Sequence, residues 1–168
     1  MKIGPEDYDI RNAMEDVADQ AIMQVLSEER LACGCDLCLD DMRSHMLNKL
    51  HHLYYPIIPG DAEETPVILD RLETDIFNRV MIECYKAVMK VKENPRHDYT
   101  RSTLKNTTES MVRFALREVL AQEKLVLSRD DLSRLMAGAL NGLKPAYITT
   151  PRGDAFSRTV EMDASYLA

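Results

Sequence analysis

Three of the four cysteines stand within six residues of one another, as Cys33, Cys35 and Cys38. Thiolates at that spacing can wrap a single cation, and zinc suits them, with soft sulfur in a tetrahedral shell at about 2.3 Å. Gly34 relieves the backbone of the turn. Cys38 projects from the start of the following helix, where the helix N-terminus favours the thiolate form. Three ligands require a fourth. Cys84 is the first candidate, because it falls on the apolar stripe of a long helix. His45 is a weaker one: it follows Cys38 by seven residues on the same helix, about 10 Å along the axis. His51 and His52 could reach back only through a fold that the sequence does not display. A closed shell of four protein ligands would be structural, and an open position would permit chemistry. Three other readings stay open: buried thiols acting as small hydrophobes, an iron–sulfur cluster, or a redox pair of Cys35 and Cys38. The last lacks the βαβ surroundings of a thioredoxin-like motif. His97, in a polar stretch after a helix stop, reads as a solvated linker residue.

A second group lies between Leu143 and Gly153. It joins Lys144 and Arg152 to Tyr147, Thr149 and Thr150. Cations and hydroxyls can hold a phosphate while an aromatic ring stacks on a base. The alternative is a loop whose Tyr147 packs on the core. No Gly-rich phosphate loop, nucleophile elbow or HExxH motif is present, and no acid/base pair demands an enzyme. Asp40, Asp41, Asp130 and Asp131 fall in the first turns of helices, where the dipole accounts for them.

Helices must position these groups. Asn12 and Glu15 form a capping box, and Val17, Ala21, Ile22, Val25 and Leu26 follow at helical spacing. After the cysteine turn a second helix runs from about Leu39 to His52. Residues 55–66 hold three prolines and a glycine and read as a loop. The longest helix runs from Thr65 to about Glu93 with the stripe Ile68, Leu72, Ile76, Val80, Cys84, Ala87 and Val91. Asn94-Pro95 stops it. Asn106 and Glu109 make a second capping box for a helix to about Lys124. Ser128 caps another, which ends at an αL stop at Asn141-Gly142. Ala146 to Thr150 is extended, and the tail has weak periodicity.

The two halves repeat each other. A shift of 94 superposes Asn12, Glu15, Ala21, Val25, Leu26, Glu29 and Leu31 on Asn106, Glu109, Ala115, Val119, Leu120, Glu123 and Leu125. With one residue dropped in the turn, Leu39, Leu47, Asn48, Leu50 and Tyr54 fall on Leu132, Leu140, Asn141, Leu143 and Tyr147. Val126, Ser128 and Asp131 take the places of the three cysteines. The expected fold is all-α, with short strands confined to loops, built from two helical repeats about a pseudo-twofold axis. The divisions are an N-terminal arm (1–11), repeat 1 with the cysteines (12–94), a linker (95–105), repeat 2 without them (106–153) and a tail (154–168).

Length and composition fit this frame. The chain has 168 residues and a formal charge of −7, which gives no general attraction to a nucleic-acid polymer or an anionic membrane surface. No apolar run reaches the ~18–20 residues of a membrane span, and no signal-peptide stretch opens the chain, so a cytoplasmic location is expected. Clustered cysteines in such a compartment favour metal over disulfide chemistry. Ten methionines suit a flexible helical core.

The strings NAMEDV and CGCDLCLDDM, followed by a Leu-Asn pair and an aromatic-Pro loop, resemble the late competence ComFB family. That pattern has an N-x-M-E opening, a C-x-C-x-x-C cluster running into a helix, and an LN-L-x-P-x-Y ending. Residues 12–58 carry the opening and the cluster. The ending is better kept in the second copy, Leu140-Asn141-Gly142-Leu143-Lys144-Pro145-Ala146-Tyr147, whereas the first has His52 where the proline falls. The resemblance implies a small helical regulatory protein without enzymatic activity. It also implies a structural zinc on Cys33, Cys35, Cys38 and a fourth ligand, here Cys84. A cyclic dinucleotide, c-di-GMP or c-di-AMP, would bind through Lys144, Tyr147, Thr149 and Arg152 or between the copies. The competing reading is a zinc-stapled module that binds a protein partner. Either would be a monomeric pseudo-dimer or a homodimer.

Overall fold

The computed structural model describes residues 2–61, 67–97 and 104–149. It is mainly helical, with five helices and two short antiparallel strand pairs among those residues. Repeat 1 runs β1 (Ile10–Asn12), α1 (Ala13–Glu28), α2 (Asp36–Leu47), β2 (Tyr54–Pro56) and α3 (Thr74–Glu93). Repeat 2 runs β3 (Lys105–Asn106), α4 (Thr107–Gln122), α5 (Arg129–Asn141) and β4 (Tyr147–Ile148). In each, the strand before the first helix pairs with the strand after the second. Asn12 sits opposite Tyr54 and Asn106 opposite Tyr147.

The caps explain the helix starts. Asn12 Oδ1 accepts from the Met14 amide and from Leu53 N; Asn106 Oδ1 accepts from Thr108 N and Ala146 N. Each asparagine thus caps a helix and pins the strand that returns beside it. The expected capping boxes do not close, because the glutamates are used elsewhere. Glu15 accepts from the Tyr147 hydroxyl at 2.8 Å, and Glu109 accepts from the hydroxyl of Tyr8 in the N-terminal arm.

Three other boundaries move. The long helix begins at Thr74 rather than Thr65, after a single 3₁₀ turn at Leu69–Arg71. The Gln20 amide explains this, donating to Val67 O and accepting from Leu69 N, so it claims backbone groups that a helix would use. The second helix ends at Leu47, because the Asn48 amide is engaged with repeat 2. Gly142 ends α5 with φ −90°, not in the αL region. The αL residue is Lys124 (φ 53°), where Leu125 N bonds Leu120 O. That is a Schellman closure of α4.

The halves interlock through their tyrosines. Tyr147 is buried in the core of repeat 1, with Ile22, Met42, Met46 and Val88, and Tyr54 in that of repeat 2, with Leu132, Met136 and Leu140. The backbone N–H and C=O of Tyr147 pair with the side chain of Asn48, and those of Tyr54 with Asn141. The two hydroxyls meet at 2.8 Å. Asn106 donates to Tyr54 and Asn12 to Tyr147. Every buried polar atom of the pair is therefore satisfied, which is the condition for burying a phenol without penalty.

Candidate metal centre

Cys33, Cys35, Cys38 and His97 bring four ligand atoms within 4.8 Å of one another. The distances from His97 Nε2 to the sulfurs are 3.5 Å to Cys33, 3.3 Å to Cys35 and 3.0 Å to Cys38. An ion bound tetrahedrally at usual zinc distances sets sulfur and nitrogen roughly 3.5 Å apart. The donor set thus fits zinc in both chemistry and size. Cys33 and Cys35 lie in the turn between α1 and α2, Cys35 as the N-cap residue of α2. The amide of Cys38 at that helix start lowers the Cys35 thiol to about 7, and desolvation pushes Cys38 up to about 12. A bound cation would overcome the second effect by favouring the thiolate.

His97, read from the sequence as a solvated linker residue, is the fourth donor of this group. Asn94 closes α3, Pro95 prevents its continuation, and Arg96 binds the buried carboxylate of Asp41 at 3.2 Å. Asp41 also accepts from Thr149 Oγ1 at 2.8 Å. It is therefore an interior anchor and not a helix-dipole residue as expected. These contacts carry His97 back to the start of α2. The available signal was its place three residues after a helix stop, next to an arginine.

Cys84, expected as the fourth ligand, is not in the group. It is fully buried in the core of repeat 1, and burial pushes its thiol up to about 12. It stands ten residues before Asn94, about 15 Å down the helix from the end that delivers His97. His45 is half-buried beside Asp41, Lys90 and Arg96, and burial lowers its pKa.

The second expected site is placed differently. Tyr147 and Thr149 are 3% and 4% exposed and bonded within the protein, so of the two readings of this segment the one in which Tyr147 packs on the core holds. Thr150 and Arg152 lie outside the described residues. Lys144 is exposed on a cavity of about 410 Å³ between the halves. Lys49, His51, His52 and Arg79 also line it, and among the described residues no carboxylate does. The His52 Nε2 atom there is buried and has no partner among the described residues.

The family described as Late competence development protein ComFB matches over residues 11–95 and again over 105–167. The chain belongs to the ComFB family. Two successive matches are what a tandem form produces, and each covers one set of the repeated elements. Only the first ComFB segment carries the cysteines; in the second, Ser128 Oγ accepts from Asp131 N and caps α5 in their place. No curated protein and no solved structure matches the chain. No helix among the described residues is long and apolar enough to cross a membrane.

Proposed function

We propose that this chain is a non-catalytic regulatory protein of the competence type, held together in repeat 1 by a structural zinc ion. The convergence of Cys33, Cys35, Cys38 and His97 carries the reading. Four protein donors close a tetrahedral shell, which leaves no position for substrate. The ion would join the α1–α2 turn to the end of α3, two segments far apart in sequence. The reciprocal tyrosine and asparagine contacts support a pseudo-twofold arrangement in which one chain imitates a dimer.

The basic cavity supports a second part of the reading, a cyclic dinucleotide as ligand. In a chain of net charge −7, a pocket lined among the described residues by two lysines, an arginine and two histidines and by no carboxylate favours a dianion. Of the expected contacts Lys144 stays, with Lys49 and Arg79 beside it, while Tyr147 and Thr149 are buried and already bonded.

Metal analysis of purified protein, with thermal shifts against c-di-GMP and c-di-AMP, tests both parts. About one zinc per chain, lost in Cys35→Ser, is expected. Absence of metal from freshly reduced protein would refute the first part. A saturable shift abolished by Lys144→Glu is expected for the second. No shift with either nucleotide would leave the protein-binding adaptor.

A further inference from the structure

The repeats differ in what lies on their helix pairs. In repeat 1, α3 packs across α1 and α2, and Ala21, Val25, Met42 and Met46 are buried at 0% exposure. Among the described residues, repeat 2 has no helix in the equivalent place. The corresponding side chains on α4 and α5 are open: Ala115 is exposed, Val119 is 51% exposed and Leu135 is 44% exposed, with Leu116 and Ala139 half-buried beside them. These are not scattered surface residues. They keep, position for position, the apolar face that a helix covers in the other half.

The same half shows what such a face accepts. The buried side of α3 carries Val80, Glu83, Cys84, Ala87, Val88 and Val91, small apolar residues at helical spacing apart from Glu83. Its end is fixed by charge: Lys92 pairs with Glu29 at 3.4 Å. The counterpart of Glu29 is Glu123, exposed at the end of α4.

We propose that the face of α4 and α5 docks an amphipathic helix from a partner protein. The helix has a stripe of small aliphatic residues and a lysine near its C-terminal end, set against Glu123. It would lie as α3 lies on α1 and α2. The chain's own α3 is held in place on repeat 1 at high effective concentration and is not free to serve.

A synthetic peptide with the sequence of residues 74–93 is the probe, titrated against the full-length zinc-loaded protein by fluorescence anisotropy. An isolated helix of this length is marginal in water and must fold on binding, so a dissociation constant on the order of tens of micromolar is expected. Val119→Glu, an exposed substitution that should leave zinc content and circular dichroism unchanged, is expected to weaken binding at least about tenfold. Lys92→Glu in the peptide should weaken it several-fold, and Glu123→Lys in the protein should restore that loss. The restoration would not follow from a merely structural role. Failure to saturate by about 1 mM peptide, or binding indifferent to Val119→Glu, overturns the proposal. So does a self-dimer that Val119→Glu dissociates, which makes a second copy the occupant. Peptide binding seen only after removal of residues 150–168 also overturns it, because the chain's own tail then covers the face.

Discussion

The turn between α1 and α2 and the turn between α4 and α5 join equivalent helices, yet they are closed by different chemistry. In the second, Lys124 takes the αL conformation, Leu125 N bonds Leu120 O, and Ser128 caps α5. Local hydrogen bonds complete it. In the first, Cys35 stands at the cap position without a side-chain cap bond, and three sulfurs gather on His97 instead. The frame therefore does not need a metal to make the turn. What repeat 1 has in addition is α3, whose C-terminal end supplies the histidine. The cysteine group ties a third helix to a pair that could close without it. Repeat 2 has lost the cysteines, and among its described residues it has no helix to tie.

That comparison breaks most visibly at the metal ligands. Cys38→Ser or His97→Ala should each remove the zinc and detach the end of α3. The apparent binding energy of structural zinc is about 10–16 kcal/mol in small peptides. Even a few kcal/mol of it lost here, at about 2–4 °C per kcal/mol for this size, lowers Tm by about 10 °C. Cys84→Ala should keep one zinc per chain by mass spectrometry, since Cys84 is a core thiol. Loss of zinc in that variant would restore Cys84 to the ligand set.

The tyrosine exchange gives the next effect. Tyr147→Phe removes a hydroxyl that accepts from Asn12, meets Tyr54 and donates to Glu15. Tyr54→Phe removes one that, among the described residues, meets Asn106 and Tyr147 alone. Leaving buried partners unsatisfied costs about 1–3 kcal/mol, and Tyr147→Phe should cost more. Urea denaturation of both single variants and the double should show coupling, because the hydroxyls touch. Strict additivity would mean that the short contact carries no energy.

Ser128→Ala sharpens the difference between the turns. Loss of the cap should cost about 1 kcal/mol, equally with and without a zinc chelator. Cys35→Ala should behave as chelated wild type and lose nothing further to chelator. If chelator changed the cost of Ser128→Ala, the two turns would not be independent.

Much of this frame was legible because it rests on local chemistry. Asn12, Asn106 and Ser128 cap the helices that their types and positions predict, and the Asn-to-Tyr register of the repeat reappears as strand pairing. The cysteine turn was legible for the same reason, since its three sulfurs are adjacent in sequence. His97 was not, because its place depends on a salt bridge to Asp41, 55 residues away. The apolar stripe pointed to Cys84, but a stripe reports only that a side chain faces the core. Glu15 and Glu109 had the spacing of capping boxes, and tertiary partners took both carboxylates. Tyr147 was open to two readings, a ligand contact among polar and cationic neighbours or a ring packed on the core; its burial is decided by the other repeat.

The smallest effect concerns those glutamates. Glu109 is matched by a cation, Arg113, at 3.4 Å, whereas Glu15 accepts from the Tyr147 hydroxyl and lines a second cavity, apart from the basic one, together with Arg11, Lys105 and Glu109. Desolvation holds the Glu15 carboxyl above its ordinary value of 4.5, against the hydrogen bond from Tyr147, which lowers it. A carboxyl raised on folding binds more protons in the native state, so its contribution is fully present below the unfolded pKa. It is lost as pH rises through the folded value. Glu15→Gln keeps an acceptor for Tyr147 and removes the charge. It should therefore raise Tm slightly at pH 7 and leave it nearly unchanged at pH 4. Glu109→Gln, which strips a partner from Arg113, should lower Tm at pH 7. Thermal melts of the two variants at both pH values would separate the glutamates; equal responses would mean that the two repeats treat their carboxylates alike.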